Sequence, residues 1–277
     1  MTSMSFLALP ERTRKPREKG LTVLIDNGLP EGRFADVLES QAPLIDMVKL
    51  GWGTALVTPR LDHKLGVLRD LGIPFFFGGT LFEKALLQRR LDGLVDFMRA
   101  CGCTHMEVSN GSIPLSNREK AAYVRRFADE FVVLSEVGYK DVARSQELFP
   151  AQWIECIRED LDAGARWVIT EARESGRSGI CRADGELRYG LVAEILDAGL
   201  PTDRLIFEAP NKELQVEFIR RAGPNVNLAN VAFTDVIGLE TLRLGLRADT
   251  LMVFPNEPAA APTSDAVGAG RVRLGVR

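Results

Sequence analysis

The sequence predicts an α/β protein, a single (β/α)8 TIM barrel with eight parallel strands. Three observations carry that expectation. Short apolar runs rich in β-formers alternate with longer helix-period stretches, with a repeat of roughly 30 residues, as βα units require. The chain has 277 residues and 45% hydrophobic content, enough for one barrel of roughly 250 residues. No GxGxxG opens a helix after the first strand, as a doubly wound dinucleotide-binding sheet would have it.

The eight predicted strands are Leu21–Asp26, Met47–Leu50, Pro74–Phe77, His105–Val108, Val132–Glu136, Trp167–Thr170, Leu205–Phe207 and Val226–Leu228. Between them, Asp62–Leu71 alternates apolar and polar faces and stops at Gly72-Ile73-Pro74. Leu91–Ala100 ends at Cys101-Gly102. Asn117–Phe127 follows Ser116, with Glu119 placed for a capping box. Gln152–Ala163 ends at Gly164, and Leu214–Arg221 ends at Gly223-Pro224. Outside the barrel, residues 1–19 read as a solvated basic arm carrying Arg12, Arg14, Lys15, Arg17 and Lys19. Residues 255–277 form a Pro/Ala-rich tail without packing periodicity, expected to be disordered.

Composition excludes several function classes. The net charge of −3 argues against nucleic acid as the main partner. No apolar run reaches the length of a membrane span, and the apolar patch Ser5–Pro10 precedes its basic residues rather than following them, unlike a leader. Four cysteines without a CxxC pair predict free thiols in a reducing cytoplasm, not a zinc site. Only two histidines are present. His63 reads as a helix-surface residue and His105 as a packing residue, so proton chemistry falls to Lys, Asp or Glu.

In a barrel of this type chemistry sits where strands run out into the following loops. Those positions are polar on every strand. Asp26 ends the first; Lys49 and Gly51 belong to the second; Gly78, Gly79 and Thr80 follow the third. Glu107, Ser109 and Asn110 mark the fourth, Glu136 and Lys140 the fifth, and Glu171, Arg173 and Ser175 the sixth. Glu208 ends the seventh and Asn230 follows the eighth. Buried charge is costly unless paired or metal-bound, so the choice is between salt bridges closing the barrel top and a working site. Several carboxylates suit a hard divalent ion, Mg²⁺ above all. Lys49, Lys140 and Arg173 suit an anionic substrate, and the turns Gly51–Gly53 and Gly78–Gly79 offer N–H groups to a phosphate. Together they suggest a small phosphorylated carboxylic acid bound with a metal.

The segments Val48–Thr54, Gly78–Glu83, Glu107–Gly111, Ser135–Gly138, Glu171–Gly176, Phe207–Pro210, Val226–Asn230 and Glu240–Arg247 resemble the phosphosulfolactate synthase family. The resemblance runs in order from about Gly20 to Phe254. It implies addition of sulfite to phosphoenolpyruvate, giving (2R)-2-O-phospho-3-sulfolactate, a reaction that in methane-producing archaea opens a route to coenzyme M. It also implies a Mg²⁺-dependent lyase, cytoplasmic and homo-oligomeric, with a trimer as one expected size. Under that reading Glu107, Glu136 and Glu171 hold the metal, and Lys49 and Arg173 bind the anionic groups. Lys140 is the general acid, with its pKa lowered by a cationic site. Asp26, Glu208 and Asn230 complete the shell, with Gly51, Gly78, Gly79, Thr80, Ser109, Asn110 and Ser175 binding substrate. Two positions depart from the family's archaeal pattern: Asn27 replaces a lysine, and Tyr139 stands where a second lysine can precede Lys140. Two other roles are compatible with the same sequence. One is a barrel enzyme for another phosphorylated carboxylic acid, and the other is a non-catalytic homologue like the family's plant heat-stress branch.

Overall fold

The structure is a computed structural model, and it describes residues 7–254. The expected disordered tail, 255–277, and the first six residues of the arm lie outside the described residues.

Eight parallel strands wind into a nearly closed barrel: β1 (Thr22–Asp26), β2 (Met47–Leu50), β3 (Phe75–Phe77), β4 (His105–Val108), β5 (Val132–Val137), β6 (Trp167–Thr170), β7 (Leu205–Glu208) and β8 (Asn227–Val231). The hydrogen-bonded order is β3-β2-β1-β8-β7-β6-β5-β4, so the seam falls between β3 and β4. Hydrogen bonds span it at both ends. At the bottom, Cys103 Sγ donates to the carbonyl of Phe75 at 3.3 Å. At the top, the Gly79 N–H donates to Glu107 Oε1 at 2.5 Å. Each predicted strand matches an observed one within a few residues.

The helices also follow their local chemistry. Asn117–Phe127 begins with the expected capping box: Glu119 N–H donates to Ser116 Oγ, and Ser116 N–H donates to the Glu119 carboxylate. Leu91–Cys101 is released by Gly102 at φ 69, a left-handed geometry that glycine takes without Cβ strain. One helix departs from expectation. Gly78-Gly79 is not a free turn, because Gly79–Leu87 is itself a helix starting at the second glycine.

Alternation along the strands divides the barrel into layers. Val23, Met47, Phe76, Leu134, Ile169, Ile206 and Ala229 fill its interior. A second, larger apolar cluster lies between sheet and helices, with Trp153, Phe34 and Phe218 fully buried. Two residues further along the same inward face, the apolar layer turns polar: Met47 is followed by Lys49, Leu134 by Glu136, Ile169 by Glu171, and Ile206 by Glu208. One pleat, roughly 6.6 Å of strand, separates core from site.

The basic arm is solvated only in part: Arg14, Lys15 and Lys19 are exposed, whereas Arg12 and Arg17 dock onto the barrel. Arg12 pairs with Glu240 at 3.0 Å and also donates to the carbonyls of Gly20 and Pro224. Arg17 pairs with Asp46 at 3.0 Å, and both side chains are nearly buried. Beneath them Arg243 is fully buried, donating to the carbonyls of Pro224, Val226 and Leu21. The arm thus straps the bottom of the barrel, opposite the polar layer. Among the described residues, no helix is long and apolar enough to cross a membrane.

Candidate active site

Four carboxylates and two ammonium groups converge at the top of the barrel. Lys49 Nζ, on β2, lies 2.9 Å from Glu107, 3.4 Å from Glu136 and 3.3 Å from Glu208. Lys140 Nζ, on the loop after β5, lies 2.9 Å from Glu136 and 3.4 Å from Glu171. All four carboxylates are at most 2% exposed. At the rim Arg173 and Glu174 approach each other at 3.9 Å.

The remaining hydrogen bonds fix each carboxylate. Glu107 accepts from the Gly79 N–H at the start of its helix, where the positive end of the dipole favours an anion. Only glycine permits that approach, since a Cβ there would sit 2.4 Å from Ser109 Oγ. Glu208 Oε2 accepts from the Ala172 N–H at 2.8 Å, and Glu171 Oε1 from the Arg173 N–H at 2.6 Å. Glu171 Oε2 is buried without a hydrogen-bond donor. Three of the four non-glycine residues at positive φ among the described residues, Trp52, Arg173 and Asn230, wall this chamber. Such backbone costs on the order of 1–3 kcal/mol per residue and gathers where side chains must be aimed.

Charge balance sets the electrostatics. With all six inner groups ionised, four carboxylates against two ammonium groups leave two negative charges in excess. Burial pushes the Glu107 carboxyl up, opposed by Lys49, to about 7. Burial and the neighbouring Glu136 and Glu208 push Glu171 well above the usual range. Burial would raise Glu136 too, but Lys140, Lys49 and a hydrogen bond from Glu171 outweigh it and hold it low. One proton is therefore shared by this pair and carried by Glu171. Burial lowers both lysines, but the surrounding carboxylates more than reverse it, so both stay firmly protonated. That corrects the expectation of a lowered pKa for Lys140, because its surroundings are anionic rather than cationic.

The family model for (2R)-phospho-3-sulfolactate synthase (ComA) matches residues 10–249. The chain belongs to this family. Phosphosulfolactate synthase of Bacillus subtilis (strain 168) is 52% identical over 250 residues, covering 89% of this chain and 98% of the relative. The enzyme of the same name from Methanocaldococcus jannaschii is 41% identical over 237 residues, covering 84% and 94%. That from Methanothermobacter thermautotrophicus is 39% identical over 255 residues, covering 91% and 98%. Relatives so named mark this phosphosulfolactate synthase family member as an enzyme acting on small molecules.

The structure gathers most of the expected residues and redistributes their work. Lys49, Gly78, Gly79, Thr80, Glu107, Glu136, Lys140, Glu171, Arg173, Glu208 and Asn230 wall one chamber. Within it, carboxylate oxygens of Glu136, Glu171 and Glu208 lie within 4.8 Å of one another. This close group includes Glu208 beside the expected Glu136 and Glu171, while Glu107, engaged by Lys49 and the Gly79 N–H, lies next to it. Three of the glycine N–H groups expected to face a phosphate are engaged within the protein. The N–H of Gly51 donates to the carbonyl of Asp26, that of Gly78 to the carbonyl of Leu50, and that of Gly79 to Glu107.

Five expected positions fall outside the chamber walls, Gly51 among them. Asp26 is spent on Lys64 at 2.5 Å and on the N–H groups of Gly28 and Leu29. Ser109 donates to Glu83, and Asn110 to the carbonyl of Leu115, so both brace the β4 loop. Ser175 is exposed. Asn27, the departure after β1, is also exposed and does not line the chamber; its Oδ1 lies against Gly51, beside Trp52 of the wall. Trp52 and Glu174 wall the chamber without having been singled out, although each sits next to an expected residue.

Proposed function

We propose that this chain is a Mg²⁺-dependent phosphosulfolactate synthase, a lyase that adds sulfite to phosphoenolpyruvate to give (2R)-2-O-phospho-3-sulfolactate. The observation that carries the reading is the burial of four carboxylates around only two lysines, so that protons on the carboxyl groups balance the chamber when no cation is bound. A divalent cation between Glu136, Glu171 and Glu208 would displace those protons and balance the ionised carboxylates, and Glu171 Oε2, which has only Lys140 Nζ at 3.4 Å, offers it a ligand. When bound, Mg²⁺ supplies Lewis-acid stabilisation to a substrate carboxylate.

The chain's own groups supply the rest. Sulfite brings its own nucleophilic lone pair, so the protein needs no activated side chain. The new bond joins sulfur to C3 of the enol ester, and the displaced π pair moves through C2 into the carboxylate. Lys140, protonated and in the polar layer, then donates a proton to C2. Its raised pKa suits this task, because the carbon base it meets is strong. Lys49 stays locked among Glu107, Glu136 and Glu208 and holds them in register. A cytoplasmic homo-oligomer belongs to the same reading.

Consumption of phosphoenolpyruvate, followed by loss of its enol absorbance, tests the proposal. It is expected only when sulfite and Mg²⁺ are both present. Consumption independent of sulfite would assign the site to a different reaction of phosphoenolpyruvate.

A further inference from the structure

The inner chamber is sized for a cation, not for a substrate. Its volume is about 20 Å³, room for roughly one water-sized occupant. A phosphorylated three-carbon acid does not fit there. Immediately outside lies a cavity of about 480 Å³. The two share Trp52, Thr80, Lys140, Arg173 and Glu174 as walls, so the larger one is the vestibule of the smaller. The organic substrate must lie mainly in the vestibule.

The vestibule adds a cation that the inner chamber lacks, Arg144. Its guanidinium lies 4.1 Å over the ring of Tyr139. Stacking fixes the plane of the guanidinium and leaves its N–H edge free to grip an oxyanion. Among the described residues, its side chain has no carboxylate or carbonyl partner. Asp141, on the same wall, is already used: its carboxylate accepts the backbone N–H of Arg144 at 2.9 Å, capping the short helix. The other two vestibule cations are less available. Lys140 is held by Glu136 and Glu171, and Arg173 has Glu174 at 3.9 Å.

We propose that Arg144 is the anchor of a substrate subsite in the vestibule, taking an oxyanion group, either the phosphoryl group of the organic substrate or sulfite. The nature of the anion rests on the function proposed above; the subsite itself rests on the cavity and the unpartnered guanidinium. In this arrangement the charge that recognises the substrate is separate from the charges that balance the carboxylate layer.

The test is calorimetric titration of the full-length, Mg²⁺-loaded protein with inorganic phosphate and, separately, with sulfite. Arg144→Leu is expected to weaken at least one of the two by about tenfold or more, the scale of a lost charge-assisted contact. Arg144→Lys is expected to recover part of that loss, because it keeps the charge without the planar fork. In steady state, the KM for phosphoenolpyruvate or for sulfite should rise by a similar factor, with kcat changed less than about threefold. Whichever KM moves identifies the occupant. If neither anion binds the wild-type protein, or if Arg144→Leu leaves both affinities and both KM values unchanged, the subsite is overturned. A wild-type protein that fails to consume phosphoenolpyruvate with sulfite, yet binds phosphate through Arg144, would overturn the proposed reaction and leave the subsite standing.

Discussion

Lys140 Nζ lies 2.9 Å from Oε1 of Glu136, the residue four positions before it, across the end of β5. The contact aims the ammonium group into the carboxylate layer and keeps it charged. It also separates two roles that a lysine in an anion site can combine, since the Lys140 ammonium is committed to the carboxylates while Arg144 lines only the larger cavity outside.

If Lys140 donates the proton to carbon, its removal should act on turnover more than on binding. Lys140→Met is expected to lower kcat by about 10²–10⁴, the usual contribution of a general acid. Steady-state rates against phosphoenolpyruvate concentration check it. A variant with near wild-type kcat would remove Lys140 from the reaction. Lys140→Arg keeps the charge but donates its proton poorly, and should stay close to Lys140→Met in kcat.

The carboxylate layer predicts how metal and pH are linked. Glu107, pushed up to about 7 by burial, and Glu171, pushed well above the usual range, bind protons more tightly folded than unfolded. A carboxyl raised in this way stabilises the fold below its unfolded pKa, and the contribution fades as pH rises through its folded value. The metal-free protein should therefore lose the Glu107 contribution between about pH 4.5 and 7. A divalent cation favours the ionised carboxylates and displaces their protons. The rise in Tm on adding Mg²⁺ should be larger at pH 8 than at pH 6. A rise that does not change with pH would contradict this linkage.

Lys120 and Asp160 form a pair at 2.7 Å in which both side chains are fully buried. Lys120 also donates to the carbonyl of Glu136 at 2.7 Å, and Asp160 accepts from Ser135 Oγ at the same distance. The pair thus supports the strand that carries Glu136. Lys120→Met leaves a buried carboxylate uncompensated and should cost about 3–5 kcal/mol in denaturant unfolding. The double variant Lys120→Met, Asp160→Leu should recover much of that loss. If the single variant unfolds at the wild-type denaturant concentration, the pair is not structural.

The strap at the barrel bottom gives a prediction about the arm. Arg12 ties Glu240, Gly20, Pro224 and Asn225 together. Arg12→Ala should destabilise the protein by roughly 1–3 kcal/mol, because its nearly buried partners lose their donors. Turnover under native conditions should not change, since the active site is at the opposite end. A solvated arm would show no change in thermal midpoint.

The fold was largely legible in the sequence. Strand boundaries could be read because apolar runs such as Val132–Leu134 and Trp167–Ile169 end abruptly in charge, and because Ser116 and Glu119 announce a helix start. The site was legible as a place, since a carboxylate or lysine one pleat beyond an apolar inward residue has only the barrel mouth to occupy. Its internal pairing was not. Nothing in the spacing of Asp26 shows that Lys64, on a helix, reaches it; nor does the sequence show that Glu208 joins Glu136 and Glu171 while Glu107 turns to Lys49. Those choices depend on distances between strands far apart in the chain. Arg144 lies on a short helix away from every strand end, and only its stacking on Tyr139 beside a cavity marks it. The arm misled for a related reason: Arg12 and Arg17 look solvated until Glu240 and Asp46 are brought beside them.

The most direct test of the account is the phosphorus NMR spectrum of the purified protein incubated with phosphoenolpyruvate, sulfite and Mg²⁺. The account predicts a new phosphate-ester signal that appears only when sulfite and the metal are both present. It also predicts that the signal does not form with Lys140→Met. A folded, Mg²⁺-loaded protein that leaves the phosphoenolpyruvate signal unchanged would contradict it.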